Sequence, residues 1–207
     1  MGTGDYSVSV WLNRTGATSE SWHVPVVKYD GSEGWGCEVD DGGASGTAEM
    51  RCFIKDSVRG RTNTPFTTTQ IDGSEWFHIV AVYDRNANMT VFVNKVAEVS
   101  ISISSYSSDT INAGSALQVG GSSSTVNEWN GMIDQLKIYD HALTQVEIDA
   151  LYDEAFPGAV INQSLESTLE QTQIGTVNIN SQLWAWIVTG NASSYNASIS
   201  TCVSAWS

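Results

Sequence analysis

EWFHIVAVYDRNANMTVFVNKVAEVSISI, residues 75–103, alternates apolar and polar side chains in short runs and turns back at Arg85-Asn86-Ala87-Asn88. A period of two puts every second residue on one face, the mark of a half-buried β-strand. EWFHIVAVYD (75–84) and MTVFVN (89–94) are two strands on either side of that four-residue hairpin signal, and VAEVSISI (96–103) is a third. The pattern continues outward in both directions. YSVSVWL (6–12) alternates, as do the runs at 24–29, 34–40 and 48–54, then ALQVGG (116–121) and GMIDQLKIYD (131–140). With no helical blocks between them, these strands indicate an all-β antiparallel sandwich. One helix interrupts the pattern. Thr144-Gln-Val-Glu147 is a capping box that opens LTQVEIDALYDEAF, where Val146, Ile148, Leu151 and Tyr152 form an apolar stripe, and Pro157-Gly158 ends it.

The chain has 207 residues, 41% hydrophobic and 15% charged, with 8 Trp, 7 Tyr, 5 Phe and 18 Gly. That length buries a real core, and the low charge with abundant aromatics excludes a disordered chain. The net charge of −14 disfavours nucleic acid and anionic membranes, both of which require clustered Lys and Arg. No apolar run is long enough to cross a bilayer as a helix. MGTGDYSVSVWLN lacks the basic and apolar regions of a signal peptide, so the N-terminus reads as carrying no export signal.

Of the three cysteines, Cys37 and Cys52 flank EVDDGGASGTAEMR, whose Gly-rich middle is a turn. If Cys37 faces Cys52, then Glu38 faces Arg51 and Val39 faces Met50. Opposite charges then share one face and apolar side chains the other. A cross-strand disulfide and a pair of buried thiols both suit that register. Cys202 is left over and reads as a small buried hydrophobe, with an intermolecular link as the alternative.

The C-terminal part has a different composition. No Lys or Arg follows Lys137, and no charged residue follows Glu170. SQLWAWIVT (181–189) and ASISTCVSAWS (197–207) read as two strands around Gly190-Asn191-Ala192-Ser193. An uncharged tail carrying Trp184, Trp186 and Trp206 aggregates if left exposed, so it is expected against the sandwich or another chain. The domain reading is therefore a β-sandwich over 1–158 and a C-terminal β extension over 159–207 that completes the sheet or mediates assembly.

DYSVSVWLN, EWFHIVAVYDRNANMTVFVNKV and NGMIDQLKIYDHALTQVEIDALY, in that order, resemble the laminin G-like, concanavalin A-like jelly-roll family, in the subgroup of bacterial, phage and environmental proteins. The resemblance covers about residues 4–155 and implies two stacked antiparallel sheets of about a dozen strands. Such domains open with a strand or two before the segment matching DYSVSVWLN, and that opening is missing here. Residues 181–207 are candidates to fill the place, within the chain or by donation between chains.

Candidate site residues follow from pattern and resemblance. In GMIDQLKIYD, a strict period of two puts Met132, Asp134, Leu136 and Ile138 on one face, where a carboxylate among apolar neighbours has to be paired or coordinated. The resemblance implies structural calcium at this Asp, which makes Asp134 the candidate metal ligand; an Asp bonded to backbone or hydroxyl groups is the alternative. Asp30, Asp40 and Asp41 read as solvated turn residues. His23, His78 and His141 read as structural, with no acid or Cys spaced to make them a base or ligand. Glu38-Val39-Asp40 begins the E-x-D-x-x-E strand of some glycosidases on this sandwich, but position 43 is Gly, so the chain is read as no enzyme. Trp22, Trp35 and Trp129, in or near loops, are the candidate sugar platform. Asn13, Asn88, Asn162, Asn191 and Asn196 begin N-x-S/T sequons, close to the number chance provides in so Ser/Thr-rich a chain.

Two functions suit these features. The first is a non-catalytic assembly protein on a particle surface, such as a phage decoration (cement) or fibre protein, with other subunits as partners. The second is a carbohydrate-binding or adhesion module of a larger secreted protein, with cell-surface glycans as partners. Either places the chain on a virion or extracellular surface.

Overall fold

The computed structural model describes residues 2–16, 21–41, 47–111, 113–122, 127–154, 164–165, 173–179, 182–188 and 195–196. The chain divides into two units, Met1–Pro157 and Gly158–Ser207. In the first unit the strands are β1 (Tyr6–Arg14), β2 (Trp22–Tyr29), β3 (Gly34–Asp40), β4 (Glu49–Asp56), β5 (Gly60–Asn63), β6 (Trp76–Tyr83), β7 (Asn88–Val93), β8 (Val96–Ser102), β9 (Gln118–Val119) and β10 (Gly131–Tyr139), followed by helix α1 (Gln145–Asp153). They form two five-stranded sheets, β10-β1-β6-β7-β8 (sheet A) and β5-β4-β3-β2-β9 (sheet B). Every pairing is antiparallel.

The core lies between the sheets and follows from the alternation. Tyr6, Val8, Val10 and Leu12 of β1 point inward with Ile79, Ala81 and Tyr83 of β6, against Trp35, Val39, Met50 and Ile54 of sheet B. Tyr6 stacks on Tyr83 with ring centroids 4.3 Å apart and meets Trp35 at 5.8 Å. The β7–β8 connection is the two-residue turn Asn94-Lys95, both residues at positive φ, the backbone that matches strand twist in a tight hairpin. Pro25 sits inside β2 because the register slips there, between His23 and Val26, so no ladder N–H is required of it. Strand β5 (GRTN) is almost wholly polar and carries no alternation, so the sequence pattern did not mark it.

The β3–β4 register has Cys37 opposite Cys52, Glu38 opposite Arg51 and Val39 opposite Met50. Cys37 and Cys52 are joined by a disulfide. The outer face of sheet A is covered by α1 through Ile148 and Leu151, packed on Val80 and Val82. Thr144 caps that helix, and the capping box with Glu147 is complete. Val146, expected in the apolar stripe, is instead 77% exposed: it lies on the solvent side of so short a helix.

Two acidic residues depart from expectation. Asp134 is exposed and accepts the Gln135 N–H at 2.7 Å. The register along β10 slips between the pairs Ser9–Lys137 and Trp11–Asp134, with Gln135 at φ 49°. The extra residue is a β-bulge that reverses parity, so Asp134 faces outward while Ile133 and Leu136 pack on the core. The buried carboxylate that argued for calcium therefore does not exist at this position. Asp41, expected as a solvated turn residue, is fully buried, and its Oδ2 pairs with Arg14 and His23. His23 Nδ1 lies 2.7 Å from the Glu128 carbonyl oxygen. This network ties the end of β1 to the start of sheet B.

In the second unit, β12 (Gln173–Ile179) pairs with β13 (Gln182–Val188), and β11 (Ser164–Leu165) with β14 (Tyr195–Asn196). Within the 181–189 run, Gln182–Val188 is a strand, and among the described residues its partner is Gln173–Ile179; the run 197–207, expected as a second strand, lies outside the described residues. Trp184 and Trp186 occupy register positions opposite Val177 and Gly175. Trp206 and Cys202 lie outside the described residues.

Peptide mapping without reductant should recover Cys37 joined to Cys52. Reduction should lower unfolding free energy by about 3 kcal/mol, the loop-entropy value for a closure of this length. Asp41→Asn, which takes from the buried Arg14 its 2.5 Å partner and leaves only Asp72 at 3.4 Å, should cost about 3 kcal/mol in denaturant melts.

Candidate functional site

The outward side chains of sheet B form a mixed aromatic and cationic face. Its floor is Val24, Val27 and Phe53, with Tyr29 half-buried beside them. Gly36 makes this floor possible: a Cβ there would lie 2.8 Å from Val27 Cγ2 and 2.9 Å from Phe53 Cε1. Above the floor, the Arg61 guanidinium lies 3.7 Å from the Phe53 ring centroid, and Lys55 Nζ lies 5.2 Å from that of Tyr29. Lys55 also donates to the Tyr29 hydroxyl and the Gly31 carbonyl, each at 2.8 Å.

Towards the other end of the face, Trp22 and Phe66 stack with centroids 6.2 Å apart, and the Arg51 guanidinium lies 4.4 Å from one ring and 4.8 Å from the other. Glu38 stands between the two arginines. Its Oε1 accepts from Arg51 Nε at 2.7 Å and from Arg61 Nη2. Arg61 Nε donates to Asn63 Oδ1 at 2.6 Å. Planar guanidiniums held on rings by cation–π contact are fixed in orientation, so the face presents prearranged donors beside apolar ring surface.

Of the three tryptophans expected as a sugar platform, only Trp22 is on this face, and it is half-buried. Trp35 is 1% exposed: it lies within β3 at an inward register position and packs on Tyr6 and Tyr83. Trp129 is 8% exposed, packed on the core, with its indole N–H directed at the Met132 carbonyl at 3.3 Å. Neither presents a ring to solvent, and the three do not converge. The residues that do converge with Trp22 are Phe66, Arg51, Glu38, Arg61 and Phe53. The sequence signal for them was available: Arg51, Lys55, Arg59 and Arg61, four of 9 basic residues, fall within one hairpin of a chain with net charge −14.

One arrangement resembles catalytic geometry. Ser9 Oγ and His78 Nε2 are 2.8 Å apart. They are 2% and 1% exposed, and the His78 ring lies 5.0 Å from Trp11 and 5.9 Å from Tyr152. Sealed in this way, the pair is structural. Burial, seconded by the charge of Lys137, pulls the His78 pKa down to about 4. Among the described residues, no three His, Cys, Asp or Glu side chains gather as a metal site.

His78 makes the fold sensitive to acid. The unfolded chain takes up its proton near pH 6.5 and the folded chain only near pH 4, so stability must fall as pH drops through that window. The full loss should be about 3 kcal/mol at 1.36 kcal/mol per pKa unit. Denaturant melts between pH 7 and 4 should show this slope, and His78→Asn should flatten it.

The sequence matches the family model described as the Concanavalin A-like lectin/glucanases superfamily, of laminin G type, over residues 1–149. No curated protein sequence matches the chain. Among solved structures, the binding domain of Paraclostridial Mosquitocidal Protein 1 is similar at TM-score 0.58 and 17% identity, over 89% of this chain and 48% of that one. A botulinum neurotoxin type C structure, described as showing cell entry dependent upon interaction with two ganglioside molecules, has TM-score 0.58 and 14% identity, over 84% and 42% of the two chains. The binding domain of botulinum neurotoxin DC, in complex with rat synaptotagmin II, has TM-score 0.58 and 12% identity, over 86% and 42%. The chain spans less than half the length of these proteins, and at such identity the likeness is one of fold. With two antiparallel sheets, a capped helix closing the outer face of one of them, and a family match over residues 1–149, this chain belongs to the laminin G type of the concanavalin A-like lectin/glucanase superfamily.

Proposed function

We propose that the Met1–Pro157 unit is a non-catalytic glycan-binding domain that attaches a larger protein or particle to a surface. The observation that carries the reading is the exposed outer face of sheet B, where Trp22, Phe66 and Arg51 stack beside Glu38 and Arg61. Aromatic rings next to fixed donors suit a sugar, which offers apolar C–H faces and a rim of hydroxyls. Structural relatives support attachment over particle decoration: one is a neurotoxin domain described in complex with N-acetylneuraminic acid, and another is tied to gangliosides. A second role is favoured by the composition of the Gly158–Ser207 unit. With no charge after Glu170, the β12–β13 hairpin suits contact with other protein subunits, in a virion or on an extracellular surface.

Glycan-array binding of the purified chain, followed by titration of the best hits, tests the first role. Trp22→Ala should weaken binding at least tenfold with little change in melting temperature, while Val146→Ala on the far side should leave it unchanged. Absence of glycan binding, or binding that ignores Trp22→Ala, would refute the assignment.

A further inference from the structure

We propose that the ligand of this face is an acidic sugar whose carboxylate competes with Glu38 for the guanidiniums of Arg51 and Arg61; the inference rests on the glycan-binding reading and specifies its chemistry. The first ground is the distribution of positive charge. Arg14 and Arg85 are buried in the interior. Lys95 pairs with Asp153, and Lys137 with Glu154 on the α1 side of the molecule. Arg51, Lys55 and Arg61 all stand on the outer face of sheet B, opposed at their centre by Glu38.

The second ground is how those cations are used. Both arginines reach a single carboxylate oxygen, Glu38 Oε1. The hydrogen bonds they make are through Nε and Nη2, so among the described residues Nη1 of each remains for a further acceptor. Lys55 is matched only by neutral acceptors, the Tyr29 hydroxyl and the Gly31 carbonyl. Across the whole face the three cations meet three carboxylates, Glu38, Asp40 and Glu49, but the last two stand at the Trp22 end, so local positive charge is left at the Lys55–Arg61 end, where guanidinium forks are matched to carboxylates in geometry. The strongly negative chain does not cancel this, because at physiological salt charges beyond about 8 Å are largely screened.

The third ground is polarity along the face. Asp40 and Glu49 occupy paired register positions next to Trp22, while Lys55 and Arg61 are paired at the opposite end. The ligand carboxylate is thereby directed to the Arg61–Lys55 end, and its ring to Trp22 and Phe66. Glu38 acts as an internal competitor that keeps the two guanidiniums aligned and is displaced from one of them on binding.

The test compares a panel of sialylated and uronate-bearing oligosaccharides with their methyl esters, by calorimetric titration of the full chain at low and physiological salt. The free acids should bind at least tenfold more tightly than their esters, more so at low salt. Arg61→Gln should erase that difference, and Glu38→Gln should strengthen binding of the acid several-fold without affecting the ester; melting curves check that both variants fold. Equal binding of acid and ester, both lost in Trp22→Ala, would overturn the acidic-sugar inference while leaving glycan binding in place. Binding of neither across the panel, with neutral glycans still bound on the array, would overturn the acidic-sugar inference alone; no binding on panel or array would overturn both.

Discussion

Strand β1 buries all nine of its residues, so each of its outward-facing groups has to receive a partner from a distant part of the chain. Ser7 Oγ donates to the His141 carbonyl and accepts from the Leu143 N–H, which fixes the segment leading into α1. Ser9 meets His78, and Trp11 is roofed by Tyr152 of the helix. Asn13 donates to the Ser74 carbonyl, and Arg14 reaches across to Asp41. The inward side chains of the same strand make the core. One strand thus dictates where the helix lies, where the neighbouring loops close and how the first sheet is tied to the second.

Most of this was legible wherever a single rule decided the outcome. Period two located nine of the strands in the first unit, the Thr144–Glu147 box located the helix start, and charge pairing found the β3–β4 register. Failures came where one residue breaks the period. Gln135 adds a bulge, so counting by twos from Met132 sends Asp134 to the wrong side. Asp41 has the sequence context of a turn, and only the arrival of Arg14 from another sheet makes it a buried counter-ion. Trp35 falls inside the 34–40 strand run, and placing it in or near a loop as part of a sugar platform missed its inward register position, between Gly34 and Gly36. Those glycines are there for packing: at position 36, Val27 and Phe53 occupy the space of a side chain.

The candidate face was the least legible part, because its members come from separate strands and from the loop carrying Phe66. What joins them is the pleat, which brings Glu38 and Arg51, and then Lys55 and Arg61, side by side on one surface. The same pleat separates this surface from the acid-sensitive His78 beneath α1 on the other sheet. Ligand contacts and the sensitivity of the fold to acid therefore reside in different layers of the molecule.

The long edges of sheet A have a consequence for behaviour at high concentration. On β10 the extra residue is Gln135; on β8 the register slips opposite Val91 and Phe92, leaving Glu98 as the surplus residue. The Glu98 carboxylate is then taken up by the N–H and hydroxyl groups of Thr68 and Thr69, drawing a loop alongside that edge. The edges of sheet B are short, four residues in β5 and two in β9. Among the described residues, both long edges of sheet A are thus interrupted by a bulge, the kind of irregularity that keeps an edge from templating the flat, unbroken ladder that fibril growth copies.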